Sequence, residues 1–444
     1  MYAAAVASLH LSDDDPYEEL LHNIDDVDVL LSDPEVSSAI HYLLHPTLPD
    51  HLLHLHALQS ESITPEERAL PRFTRRTLQR IPTWELWHEN ETDQIDQMHE
   101  LGMFGDPCSL PPDGIALRFH WTYRIKTNGK RRSRVCCDGS PRAAPAVHSN
   151  TDTYASCLEH PIFRLFVALS ATENLTIYGG DAKDAFAHAP APTQPTFMRI
   201  DDAFAEWYES STNRKLDRSL VLPVLCAFQG HPEAAKLWEE HIHSIVHSLG
   251  FRNTTHERNI YTATFGDEKV LMVRQVDDFA LACRTEDVAK DIFARIGAAL
   301  KLDGEASAPF EYLGKVDMYN GYDVLQTADY IKISASSYLR RLLKSHHWET
   351  PGAHEHSTKP KPPLHESTIA SLYQLPAGPK EGTIEHAQLA EKHGFGYRNL
   401  LGKILFAYVL CRPDIGYAVT TLAKFSTAPN DLHYQSLKHL ALYL

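Results

Sequence analysis

Two aspartates stand side by side between two apolar runs: "KVLMVRQV" leads into Asp277–Asp278 and "FALAC" follows. The flanking runs are short and aliphatic, so they read as strands, with the acidic pair at the turn between them. Two carboxylates at the tip of a buried hairpin repel each other and lose hydration. Unpaired, at least one tends to protonate near neutral pH. A divalent cation removes that penalty, because a bound metal is the largest local charge. The other Asp–Asp neighbours (13/14, 14/15, 25/26 and 201/202) lie in acidic or loop-like surroundings, where solvation suffices.

Asp181 closes a second apolar run, "LTIYGGD", also read as a strand. If that strand lies beside the 270–282 hairpin, three carboxylates converge. Oxygen-only ligands with room for water suit Mg²⁺, and a pair of such ions serves in-line phosphoryl transfer. Spacing alone leaves a plainer reading open, in which Asp181 is a turn or helix-cap residue and the pair is a polar hairpin turn.

The net charge of −16 over 444 residues argues against nucleic acid until its distribution is considered. Residues 1–67 hold 14 Asp and Glu and no Lys or Arg, whereas residues 118–142 carry eight Lys and Arg against Asp138 alone. Such a basic strip suits phosphate contacts, with Arg131 and Arg132 as nucleic-acid candidates; a solvated surface strip is the bland alternative. Seven cysteines, odd in number and without a CxxC pair, argue against a disulfide framework and a thiolate zinc site. No apolar run reaches the length of about 18 residues expected of a membrane span. The start carries no recognisable secretory signal. Neither GxGxxG nor GxxxxGK[ST] occurs, which removes the main support for Rossmann and P-loop readings.

Helices are expected at about 161–173, 232–249 and 287–300, each with an apolar stripe, and three helical patterns fill 397–444. Hairpins are expected around Asn128–Gly129 and Asn320–Gly321. Residues 351–393, rich in Pro, His, Gly and Lys, read as a linker. His243 and His247 stand one helical turn apart, but without an evident third ligand they read as surface residues. Trp84, Trp87, Trp121 and Trp238 read as core or packing aromatics, with stacking on single strands kept open only for Trp121 beside the basic strip, and Cys136–Cys137 read as strand packing.

Several motifs in order resemble copia-type retrotransposon polyproteins. "TYASCLEHPIFRLFVALSATENLTIYGGDAKDAFAHA" is similar to the segment carrying the first catalytic aspartate of reverse transcriptase, and "QVDDFALAC" to the Val-Asp-Asp box. "FEYLGKVDM" resembles the primer-gripping hairpin. "GYRNLLGKILFAYVLCRPDIGYAVTTLAKFSTAPNDLHYQSLKHLALYL" resembles the segment between polymerase and ribonuclease H. "WELWHENETDQIDQMHELGMFG" and "RFHWTYRIKTNGKRRSRVCCDG" match the lead-in, so the resemblance covers roughly 78–345 and 394–444.

The resemblance implies an α+β right-hand polymerase of fingers, palm and thumb, with an antiparallel palm sheet and a helical C-terminal segment. It divides the chain into an acidic segment at 1–70 read as flexible, fingers, palm and grip at 71–345, a linker at 346–393, and a thumb- or connection-like segment at 394–444, stopping before ribonuclease H. It implies an RNA-directed DNA polymerase acting by two-metal nucleotidyl transfer with Mg²⁺, or Mn²⁺ in its place. Asp181, Asp277 and Asp278 would be the catalytic and metal-binding carboxylates, Asp181 and Asp277 primary. Phe186 would screen the incoming sugar for a 2′-hydroxyl, and the Asp184–Ala185 backbone would face the triphosphate. Arg134 would contact triphosphate oxygens, with Lys126 the second candidate, and Gln229 would lie near nucleotide and template. Gln275 replaces the family's usual Tyr or Phe and could donate to backbone or to primer phosphate. Implied partners are an RNA template, a DNA primer or RNA–DNA hybrid, deoxynucleoside triphosphates and other polyprotein modules, without a membrane. The implied location is a cytoplasmic particle, with the nucleus second. The other class kept open is a degenerate fragment that binds primer–template or a protein without catalysis.

Overall fold

The computed structural model describes residues 63–70, 72–125, 130–150, 153–255, 257–302, 305, 308–348 and 362–444. Most of the acidic segment, Lys126, the Asn128–Gly129 turn and residues 349–361 of the expected linker lie outside them. The described chain forms two compact units, one from residues up to 90 with 122–133, the other from 91–121 with 134–444.

In the first unit, helix Pro65–Ala69 begins with a capping box. The Thr64 hydroxyl accepts from the Glu67 amide at 3.3 Å, and the Glu67 carboxylate accepts from the Thr64 amide at 3.0 Å. Glu67 is only 1% exposed. Its carboxylate also accepts from Arg131 Nε at 2.7 Å, Arg131 Nη2 at 2.9 Å, Trp87 Nε1 at 3.0 Å and Thr83 Oγ1 at 3.0 Å. Burial works to raise its pKa, but the Arg131 guanidinium and the other donors outweigh burial and hold the carboxyl below its ordinary range. Arg131 is therefore a buried structural cation. This corrects its reading as a nucleic-acid contact: strand alternation turns it inward, where the fork is consumed by Glu67.

The strands are β1 Ile115–Ile125, β2 Arg131–Cys137, β3 Thr176–Ala182, β4 Thr196–Arg199, β5 Val221–Pro223, β6 Arg252–Asn253 and β7 Ile260–Phe265. They continue as β8 Glu268–Gln275, β9 Asp278–Cys283, β10 Phe310–Lys315, β11 Met318–Tyr319, β12 Tyr322–Gln326 and β13 Ile331–Ser334. A six-stranded sheet runs in the order β10-β3-β9-β8-β7-β6, every pair antiparallel. A four-stranded sheet, β2-β1-β4-β5, contains a parallel β1–β4 pair, and β11-β12-β13 form a third sheet.

Both faces of the six-stranded sheet are covered. Helices Ala234–Ser248 and Glu286–Leu300 bring Trp238, Ile242, Phe293 and Ile296 onto Tyr178, Met272 and Leu281. Helix His160–Thr172 and the β11–β13 sheet bring Phe163, Phe166, Tyr319 and Tyr322 onto Ile177, Val273 and Ala280. Double coverage explains why β8 and β9 read as nearly unbroken apolar runs rather than alternating ones. On β3, a side chain at Gly180 would sit 2.4 Å from the Phe310 ring, so glycine permits the Phe293–Phe310 stack against the sheet. Asn320 and Gly321 both take positive φ between β11 and β12, the two-residue turn their identities signal.

The C-terminal helices Tyr397–Leu410, Gly416–Ala423 and Asp431–Tyr443 share a core of Leu400, Ile404, Leu422, Leu437 and Leu440. The expected linker needs correction over its described part. Helices Glu366–Gln374 and Ile384–His393 stand there, Leu364 and Leu372 enter that core, and the Leu372 carbonyl lies 3.0 Å from His433 Nε2. Pro and His flanking the helices masked their patterns. No helix among the described residues is long and apolar enough to cross a membrane.

Removing one member of a buried ion pair strands the other. Glu67→Gln should cost roughly 3–5 kcal/mol in urea unfolding at neutral pH. Because the Glu67 pKa is lowered on folding, the wild-type advantage should be present above the ordinary carboxylate pKa and fade as pH falls through the folded value. An unchanged midpoint in Glu67→Gln would remove the pair from the stability of this unit.

Candidate active site

The site is built where three strands end together. β3 and β9 pair so that Asp181 stands directly opposite Asp278, and β10 pairs with β3 so that Glu311 stands opposite Asp181. Residues paired in register share a face, so Glu311, Asp181 and Asp278 form an acidic row across the sheet. Asp277 follows in the turn that joins β8 to β9. The row is electrostatically costly: like charges directly opposite destabilise a sheet. Burial, then the charges of Asp277 and Glu311, raises the Asp181 pKa. The Asp278 carboxyl is pushed up to about 6 by the protein bulk behind it, then by Asp277 and Asp181, although the residue reaches solvent. Lys183 answers one member of the row, pairing with Glu311 at 3.0 Å.

The turn is held by its backbone. Gln275 pairs with Asp278, leaving Val276 and Asp277 as the two central residues, and Val276 has φ +58°. Positive φ in a β-branched residue is strained and persists only where neighbours over-determine it. Three successive carbonyls meet that condition. Val276 O accepts from Trp238 Nε1 at 2.8 Å and from Arg274 Nη1 at 3.0 Å. Asp277 O accepts from the Ala182 amide at 3.0 Å, which ties the turn to β3. Asp278 O accepts from the Tyr319 hydroxyl at 3.1 Å. Arg274 is 2% exposed, and its Nη2 donates to Asn259 Oδ1 at 2.9 Å.

The three aspartates expected to converge are thus brought to one sheet end. Among the described residues, no group of three or more His, Cys, Asp or Glu is arranged to hold a metal ion. Past β3, Asp184 takes a left-handed conformation and its carboxylate receives Gln97 Nε2 at 2.5 Å. Ala185 is buried and Phe186 is partly buried against the sheet core. Arg134 is exposed on β2, Arg132 half-buried beside it, and Gln229 is exposed in a loop. The Cys137 amide donates to Gln229 O at 2.8 Å, and a side chain at Gly139 would strike Gly230 O at 2.1 Å, so the end of β2 presses closely on that loop.

Gln275 Oε1 accepts from the Leu158 amide at 2.7 Å, which fixes the segment before helix His160–Thr172 and engages the oxygen end of the amide group. The Trp121 indole donates to Asp201 at 2.8 Å and the ring packs, partly buried, against the neighbouring core, which favours packing over strand stacking. His243 and His247 are half-buried on their helix, facing Tyr261 and Asn253. All seven cysteines are unpaired. The sequence pointed to no role for Glu311, Arg274 or Tyr319 at the site, because only strand register and packing bring them there. Trp238 read as a packing aromatic, and its indole proton carries the additional role.

Residues 106–354 match the family described as Reverse transcriptase (RNA-dependent DNA polymerase). That match spans more than half of the chain, and the protein belongs to this family. Among curated relatives, the Retrovirus-related Pol polyprotein from transposon TNT 1-94 of Nicotiana tabacum is 22% identical over 362 residues, covering 79% of this chain and 25% of that protein. A putative transposon Ty5-1 protein of Saccharomyces cerevisiae is 23% identical over 216 residues, covering 48% of this chain and 61% of that protein. The chain therefore spans a quarter to about three fifths of these relatives. The solved structure of a foamy viral protease-reverse transcriptase in complex with double-stranded DNA is similar at 13% identity and TM-score 0.35, covering 79% of this chain and 47% of that one. A likeness at that level does not by itself define the fold. The retrotransposon resemblance read from the motifs is thus found again in whole-chain comparison.

The raised pKa values give a direct test. Folding favours the protonated forms of Asp181 and Asp278, so the stability their ionised forms cost should be regained as pH falls, for Asp278 from about 6 down toward the ordinary Asp value. Carboxyl NMR of metal-free protein should place the Asp278 midpoint near 6, and Asp277→Asn should move it down toward the ordinary Asp value. A midpoint indifferent to Asp277 would separate the two carboxylates.

Proposed function

We propose that this chain is the polymerase portion of a copia-type retrotransposon Pol polyprotein. In this reading it extends a DNA primer along an RNA template with deoxynucleoside triphosphates and works with the other polyprotein modules in a cytoplasmic particle. The six-stranded sheet is the palm, the β1–β2 region the fingers, and the C-terminal helices the thumb or connection. The observation that carries the reading is the meeting of Asp181 with Asp277–Asp278 at one sheet end, on a turn whose three carbonyls are all held.

The donor set fits a hard divalent cation. It is all oxygen, its carboxylates repel one another, and the nearest lysine is engaged by Glu311. Bound there, Mg²⁺ or Mn²⁺ would lower the pKa of the primer 3′-hydroxyl and neutralise the leaving pyrophosphate. The protein's own part is placement. Asp181 and Asp277 are the primary carboxylates and Asp278 the third. Trp238 and Arg274 fix the turn from below, and Tyr319 fixes it from the grip side. Phe186 presents a rigid ring to the sugar, Asp184–Ala185 lie along the triphosphate, Arg134 meets its oxygens, and Gln229 lies near nucleotide and template.

Primer extension with the purified chain tests this. Mg²⁺-dependent incorporation is expected, and Asp277→Asn should lower it by about three orders of magnitude or more while primer–template binding persists. Binding without extension in either Mg²⁺ or Mn²⁺ would replace this reading with a non-catalytic nucleic-acid binder. In the same assay Phe186→Ala should admit ribonucleotides more readily, and Arg134→Ala should raise KM for the nucleotide more than it lowers kcat. Unchanged sugar discrimination, or an effect of Arg134 confined to template affinity, would remove those assignments.

A further inference from the structure

A second concentration of charge lies away from the acidic row. Arg118 on β1 and Arg199 on β4 are Cα partners across the parallel pair, so their side chains emerge side by side on one face. Arg142, from the segment after β2, joins them around a cavity of about 500 Å³ whose walls include Leu117, Ala143 and Asp138. Two guanidinium groups directly opposite each other weaken a sheet unless something offsets them. The protein offers little. None of the three arginines makes an ion pair or side-chain hydrogen bond among the described residues. Asp138, the one carboxylate in the cavity wall, is itself engaged by the Ser140 amide at 3.2 Å. That bonding, then the nearby charges of His120 and Arg118, keeps it ionised.

We infer that this cavity is a phosphate-binding site for the sugar–phosphate backbone of the polynucleotide on which the chain acts. Resting on the polymerase reading, the inference names a second contact that nothing in that reading assigns. Three guanidinium forks drawn from β1, β4 and the β2 exit surround more space than one phosphate group fills, which suits successive phosphates of a strand. Arginine suits the task because its planar fork meets phosphate oxygens in pairs. The whole-chain charge of −16 repels nucleic acid, so attraction has to come from local clusters such as this one. The family's triphosphate arginine, Arg134, is not among the lining residues. Contacts of this kind position a strand without reading its sequence.

Fluorescence anisotropy of the full chain with labelled primer–template, titrated over KCl concentration, tests the site. Each of Arg118→Ala, Arg142→Ala and Arg199→Ala should reduce the slope of log affinity against log salt by roughly 1, equally for unrelated sequences. The triple variant should lose roughly 3 from the slope, with a melting temperature that is not lowered and an unchanged KM for the nucleotide. Replacement by lysine should keep most of the slope, since the charge remains. An unchanged slope in the triple variant would overturn the inference. So would intact polynucleotide binding with weakened binding of pyrophosphate or of the nucleotide, which would make the cavity a site for a free phosphate compound. Binding is read without incorporation, so the two readings fail separately. A chain that binds through these arginines but never extends a primer overturns only the polymerase assignment, and one that extends with an unaltered salt slope overturns only this site.

Discussion

A slip of one residue between β3 and β9 would carry Asp181 to the opposite face of the sheet, because side chains alternate with a period of two. The acidic row exists only while Asp181 faces Asp278 and Glu311 faces Asp181. Register is fixed by coverage of both faces. Tyr178 and Leu281 belong to one apolar layer, Ile177 and Ala280 to the other, and a slip would exchange every one of them. Gly180 adds a steric lock, since only glycine lets the Phe310 ring approach at that position. The same burial that stabilises the sheet therefore holds together carboxylates that repel one another.

Local strain follows the same logic. Val276 occupies a backbone region that suits glycine, and its carbonyl is gripped by an indole and a guanidinium that are themselves buried. Arg274 carries its charge into the core with carbonyl and amide dipoles as partners, a costly arrangement that makes sense where it aims a turn. Arg131 is the contrasting case. It too is buried, but against the carboxylate of Glu67, and it serves packing alone. Two arginines of similar burial thus differ in role through what their forks meet.

Much of this was legible in the chain. The apolar runs around Asp277–Asp278 and before Asp181 signalled strands, the stripes of 232–249 and 287–300 signalled helices, and Asn320–Gly321 signalled its turn. Those signals are local: propensity, periodicity and turn chemistry act over a few residues. Where local composition misled, as in 362–393, helices were hidden because proline and histidine flank them and their stabilisation comes from distant Leu437 and Leu440 rather than from their own pattern.

Side-chain allegiance was not legible. Arg131 and Arg134 belong to one basic strip, yet alternation along β2 turns one inward to Glu67 and leaves the other exposed. The bond that Gln275 Oε1 accepts from the Leu158 amide spans more than a hundred residues and has no local signal. Arg118 and Arg199 are far apart in sequence and meet only because β1 and β4 pair in parallel. The sequence by itself determined which residues could carry charge, form strands and turn the chain. The tertiary structure alone decided which charges face each other, because register and burial depend on contacts between segments that have no memory of one another along the chain.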